Sequence, residues 1–212
     1  MLEKLSSSLG RKDEQPNIEA AEIIAASSDI AALAEIASGL ENGPQPVAND
    51  CIKVMYEVGY RNPGLIAPYT ELFLTLLKSR NNRVVWGSMN ALAIVTPIEP
   101  GLVFRHFETV KKIYEKGSVI TVDCSISVFA SLAKAGAEYA EKAFPLIIQH
   151  LKTCRPKEVP QHAERAAICI DNKNRQEFLA VLELRMPDLT GSQIKRIGKL
   201  VSKLTKQGTD NV

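Results

Sequence analysis

The sequence predicts an all-α fold, an α-α superhelix of antiparallel helix pairs, and three observations carry that prediction. Shifted by 37 residues, the chain overlays itself. Within each copy the apolar residues recur at i, i+3, i+4 and i+7, the signature of one helix face. No stretch alternates with the two-residue period of a half-buried strand. Helix pairs that recur in this way bury their faces only against their neighbours, so repeats stack into a solenoid and the ends need atypical caps.

Residues 1–45 read as N-terminal capping helices. Asn17 and Asp29 stand where N-caps precede two short Ala/Ile-rich helices, and Gly39 stands where the second ends. Three regular repeats follow, at 46–81, 82–118 and 119–156. The first helix of each, helix A, carries Cys51, Val54, Met55 and Val58, matched by Ser88, Ala91, Leu92 and Val95 and then by Ser125, Val128, Phe129 and Leu132. Helix B carries Leu65, Ile66, Tyr69, Leu72, Phe73, Leu76 and Leu77, matched by Leu102, Val103, His106, Thr109, Val110, Ile113 and Tyr114. Its third copy reads Tyr139, Ala140, Ala143, Leu146, Ile147, His150 and Leu151.

Pro-Gly-Leu at Pro63 and again at Pro100 opens helix B, because a proline in the first helical turn gives up an N–H that has no partner there anyway. Residues 157–187 form a degenerate repeat with Ala163, Ala166, Ala167 and Ile170 on its A face. Residues 188–212 give a C-terminal capping helix and tail, with Ile194, Ile197, Val201 and Leu204 inward and Lys195, Arg196, Lys199, Lys203 and Lys206 outward. The pattern predicts about ten or eleven helices in all.

Over residues 46–187 the period and the apolar placement resemble the HEAT/armadillo-type helical repeat family. Ala163-Glu164-Arg165-Ala166-Ala167-Ile168 is most similar to the A-helix signature of HEAT repeats. The first three copies lack the Asp and Arg that form the usual ladder between such repeats. The resemblance implies a binding surface rather than a pocket, with helix B lining the concave side.

Composition narrows the function classes. Lys and Arg number 26 against 24 Asp and Glu, which argues against a general polyanion binder. The balance is uneven along the chain: residues 1–60 hold 4 basic and 10 acidic residues, a net of −6, and residues 61–212 hold 22 and 14, a net of +8. No apolar run reaches the ~18 residues a membrane span needs, and the N-terminal stretch lacks the apolar centre of a secretory signal. A cytoplasmic protein with no membrane role is expected. Cys51, Cys124, Cys154 and Cys169 form no CxxC pair and read as reduced core residues.

Catalytic motifs are lacking: there is no GxSxG, no Gly-rich phosphate loop and no HExxH. His150 and Cys154, four apart on helix B, share a face where metal ligands could meet, and His162 and Cys169 could complete a set of four. Because His150 replaces Leu76 and Ile113 at an inward position, packing accounts for it, and neither a metal nor another cofactor is expected. His106, in place of Tyr69, is read the same way.

Trp86 and Asp123 occupy equivalent places in neighbouring A helices, with Asn49 the third member. HEAT-like alkylpurine DNA glycosylases use aromatics and an Asp on the concave face, so this pair is the alternative, nucleotide-handling site that the resemblance implies. Against it, aromatic residues are only 6% of the chain, few for stacking on bases.

The outward positions of helix B form columns across the copies: Pro68, Arg105, Lys142; Thr75, Lys112, Gln149; Ser79, Lys116, Thr153. The expected function is therefore a non-enzymatic scaffold that binds a protein or acidic peptide through Arg105, Lys112, Lys116 and Lys142.

Overall fold

The computed structural model describes residues 1–206 and contains thirteen α-helices and five short 3-10 segments, with no strand among the described residues. The tail expected over 207–212 lies outside the described residues. The chain divides into two compact units, Met1–Ser125 and Ile126–Val212.

The first unit is built from α1 (Gln15–Ser27), α2 (Ile30–Asn42), α3 (Gln45–Arg61), α4 (Pro63–Ile66), α5 (Thr70–Leu76), α6 (Asn82–Val95), α7 (Pro100–Arg105) and α8 (Phe107–Lys116). It also takes the first turns of α9 (Val119–Ala135). The hub is α3, which packs against α1, α2, α4 and α6. Cys51, Val54, Met55 and Val58 are fully buried on it, and so are Ser88, Ala91, Leu92 and Val95 on α6. Burying a Val, Leu or Met side chain removes apolar surface from water and contributes about 1.5–3 kcal/mol each.

Small residues set how closely these helices approach. A Cβ added to Gly39 would stand 2.8 Å from Leu2 Cδ2 and 2.9 Å from Cys51 Sγ, and one on Gly87 would stand 2.5 Å from Ile52 Cγ1. Gly39 is thus a contact glycine inside α2, which continues to Asn42, and not the terminator that its composition suggests.

Asp29 caps α2 as expected, accepting from the Ala32 N–H at 2.9 Å. Asn17 does not cap α1, which begins two residues earlier at Gln15. Its side chain is fully buried, accepts from the Ser6 N–H at 2.9 Å and donates to Asp50 Oδ1 at 2.8 Å, while Asp50 Oδ2 accepts from the Ser7 N–H at 2.7 Å. This network ties the first residues to α1 and α3, and every buried polar atom in it that makes one of these bonds avoids the cost of an unpaired donor or acceptor.

The segments expected to form helix B of the first two copies are each broken, which raises the helix count above the expected ten or eleven. After Pro63–Ile66 the backbone tightens into a 3-10 segment over Ala67–Tyr69, where Pro68 cannot donate to a continuing ladder. In the second copy the break falls at His106, between α7 and α8. The inward stripe narrows accordingly: Ile66, Phe73 and Leu77, then Val103 and Val110, are buried, and Tyr69, Leu72, Thr109 and Ile113 are only half-buried.

The second unit comprises the rest of α9, α10 (Ala137–Thr153), α11 (Val159–Ala166), α12 (Arg175–Arg185) and α13 (Gly191–Lys206). Here α10 packs on α11 and α12, and α13 packs on both α11 and α12. Val128, Phe129 and Leu132 of α9 and Ala143, Ile147 and Leu151 of α10 are fully buried. Helix B is continuous in this copy, although Pro145 lies inside α10 on its exposed side.

Two faces differ from the sequence expectation. α11 stops at Ala166, a 3-10 turn follows over Ala167–Cys169, and Ala167 and Ile170 are only half-buried. On α13 the buried residues are Ile197, Leu200 and Leu204, while Ile194 is exposed and Val201 half-buried, so the inward stripe is centred on Leu200.

Candidate functional site

Three groups of residues carry the chemistry that the sequence singles out, two in the first unit and one in the second.

The first is the basic face of α7 and α8. Phe107 and Val110 of α8 are buried, which turns the opposite face to solvent. Arg105, Lys112 and Lys116 are all exposed, and none has an ion-pair partner among the described residues. Lys112 and Lys116, four residues apart, lie on one stripe of α8, and Arg105 ends α7 just before the break at His106. Glu108 is exposed between Arg105 and Lys112 in sequence, so one negative charge accompanies the three positive ones. The neighbouring Lys111 faces Glu115 at 4.0 Å. Elsewhere in this unit Lys53 is paired with Glu57 at 2.8 Å, Arg61 with Glu57 and with Glu22 at 2.8 Å, and Arg83 with Glu14, whereas Lys78 and Arg80 are exposed without such a partner among the described residues. Lys142, the fourth expected contact, is exposed on α10 in the second unit.

His106, read from sequence as a packing residue, sits instead at the break between α7 and α8. Its side chain is 41% exposed, with Nε2 3.7 Å from Glu71 Oε2.

The second group surrounds Trp86. The indole is half-buried and lies 5.9 Å from the ring of Tyr56, which in turn meets Tyr60 edge-on at 5.9 Å. Arg83 lies over the indole at 5.8 Å and Lys53 over Tyr56 at 5.0 Å. Tyr60 is 59% exposed and donates its hydroxyl hydrogen to Asn90 Oδ1 at 2.8 Å. The row Tyr60, Tyr56, Trp86 escapes a sequence reading because neither tyrosine belongs to the apolar set of α3, and only packing on α6 sets them beside the tryptophan. Glu14 and Glu57 already pair with the two cations over these rings, so this corner offers aromatic surface with little free positive charge for phosphates. Asp123 is half-buried on α9, and Asn49 accepts from the Asn81 side-chain amide at 2.7 Å.

The third group lies where α10 meets α11. His150 Nε2 and His162 Nδ1 are 2.8 Å apart, with both residues buried. Cys154, half-buried, is the residue that ends α10, and its Sγ and the two ring nitrogens all lie within 4.8 Å of one another. Cys169 does not join this set. Its thiol donates to the Ala166 carbonyl at 3.1 Å, and burial pushes it up to about 12.

Arg185, buried on α12, reaches back to the end of α10 and donates to the carbonyls of Leu151 and Cys154, the latter at 2.8 Å, while its Nε donates to Asp188 at 2.8 Å. A cation placed on the last carbonyls of a helix satisfies acceptors that have no intrahelical donor and opposes the negative end of the dipole. Burial raises the Cys154 thiol above its usual range, against the pull of Arg185, whose charge favours the thiolate.

No protein-family model matches the chain, and no curated protein matches it. Among solved structures it is similar to two engineered proteins, crystallised as targets OR329 and OR366 of the Northeast Structural Genomics Consortium. The first is 16% identical with a TM-score of 0.62, the match covering 98% of this chain and 97% of that one. The second is 17% identical with a TM-score of 0.61, covering 97% and 98%. At that identity the likeness is one of fold: helices packed on helices through the whole length.

Proposed function

We propose that this chain is a HEAT-type helical repeat protein that works without catalysis, binding an extended acidic segment of a partner protein along the exposed face of its B helices. Arg105, Lys112 and Lys116 are the contacts in the first unit, and Lys142 is the contact on α10 of the second. A cytoplasmic setting fits the four cysteines, none of which forms a disulfide.

One observation supports this reading above the others. The three cations of α7 and α8 stand exposed without acidic partners among the described residues, whereas Lys53, Arg61 and Arg83 of the same unit are each held by a glutamate. A side chain already engaged must break that pair to bind a ligand, and an unengaged one need not.

The test is binding of a labelled Asp/Glu-rich peptide, followed by fluorescence anisotropy. Reversing Arg105 and Lys112 to Glu should weaken it by roughly tenfold or more, since truncating or reversing interfacial charges costs on the order of 1–3 kcal/mol. Reversing Lys203 and Lys206 on α13 should change it little. Equal losses from the two pairs would mean that only net charge is sensed and would remove the site.

A further inference from the structure

The corner between α10 and α11 brings two imidazoles and a thiol together within the second unit. We propose that His150 Nε2, His162 Nδ1 and Cys154 Sγ form a binding site for a first-row transition-metal cation of the zinc class, with a fourth coordination position left to water or an incoming ligand.

Three features of the structure support the assignment. The three atoms converge within 4.8 Å from two different helices, so they are brought together by tertiary packing and not merely by sequence proximity. Two are imidazole nitrogens and one is sulfur, a donor set that suits zinc, cobalt(II) or copper(I) and discriminates against the hard cations magnesium and calcium. The frame is also fixed: His150 is in the last turn of α10, Cys154 closes that helix, and Arg185 holds the carbonyl of Cys154 from α12 at 2.8 Å. By holding the backbone at Cys154, Arg185 limits where that thiol can move relative to the two rings.

Packing alone accounts for less. In the metal-free pair a single proton lies between the two facing nitrogens, which join at 2.8 Å. That bond satisfies one nitrogen of each ring but gives no reason for a thiol beside both. With metal–nitrogen bonds of about 2.0–2.1 Å, tetrahedral angles place two ligating nitrogens about 3.4 Å apart. Loading therefore needs the rings to part by roughly half an ångström. The bridging proton moves to the far nitrogen of its own ring, and Cys154 gives up its thiol proton, so one proton leaves per ion bound.

Titrating the whole metal-free chain with cobalt(II), and then zinc, tests this. One ion per chain is expected, with the absorption of tetrahedral cobalt and a thiolate-to-cobalt charge-transfer band. Cys154→Ser, a half-buried and nearly isosteric change, should abolish that band and weaken binding by roughly 100-fold or more, and His150→Gln should weaken binding to a similar degree. Cys169→Ser should leave stoichiometry and spectrum unchanged. Failure of the wild-type chain to take up either ion, or uptake that survives Cys154→Ser in a variant with the native circular-dichroism spectrum, would overturn the site.

Discussion

Single residues decide more here than their types suggest. Phe129, 37 positions after Leu92, is fully buried, as Leu92 is. Phe129→Ala should cost about 3–5 kcal/mol in guanidinium unfolding, through lost transfer energy and the cavity left behind. A loss under about 1 kcal/mol would mean that the site collapses around the gap or is not core at all. Asp50→Ala should cost about 2–4 kcal/mol, because it strands the Ser7 N–H and one side-chain donor of Asn17 in a buried place.

Glu57 gives a pH signature. Burial opposes its charge, but hydrogen bonds from Lys53 and Arg61 outweigh that and hold the carboxyl below the usual range. A lowered folded-state value contributes stability that is present above the unfolded value, about 4.3, and disappears as pH falls through the folded one. The melting temperatures of wild type and Glu57→Gln should accordingly differ at neutral pH and converge in acid.

Of the sixteen helix-A residues named from their spacing, the twelve of the three regular copies are buried and Ala167 and Ile170 of the degenerate one are not. The i+3/i+4 spacing reports which side of a helix faces the core only while the helix continues. Asn17 was not legible in the same way. Its chemistry suits a cap as well as a buried network, and the partner that decides between them, Asp50, is 33 residues away.

Elements show where local rules give out. The starts of α4 and α7 follow from Pro63 and Pro100, and Asp29 caps α2 as its type demands. The break at His106 has no proline or glycine to announce it, so the periodicity reads through it. On α13 the apolar residues span a wide arc, and the choice of Leu200 over Ile194 belongs to its contacts with α11 and α12, which the helix's own sequence does not contain.

The end of α10 depends on a residue from another helix in the same manner. Arg185→Met keeps the bulk but leaves the Leu151 and Cys154 carbonyls without their donor. A loss of about 2–4 kcal/mol is expected in denaturant unfolding. Hydrogen exchange should locate the loosening in the last turn of α10. Unchanged protection there would show that water replaces the guanidinium at no cost.

At the scale of the whole molecule, the acidic first 60 residues and the basic remainder were legible as a charge count, and so was the all-helical class. What counting missed is which cations are available. Ion pairing is a property of neighbours in space, and Arg83 with Glu14, 69 positions apart in sequence, is as neutralised as Arg61 with Glu57 four positions away.

The proposal rests on the cations of α7 and α8 that escape such pairing, and the affinity of an acidic peptide as a function of salt tests it most directly. Charges that dock at an exposed face are screened within about 8 Å at physiological ionic strength. Affinity should therefore fall steadily with added salt in the wild-type chain, and much less steeply once Arg105 and Lys112 are Glu, with Trp86→Ala matching wild type throughout. A chain that ignores the peptide at low salt, but binds duplex DNA and loses that binding in Trp86→Ala or Asp123→Asn, would contradict the account and transfer the function to the tryptophan corner.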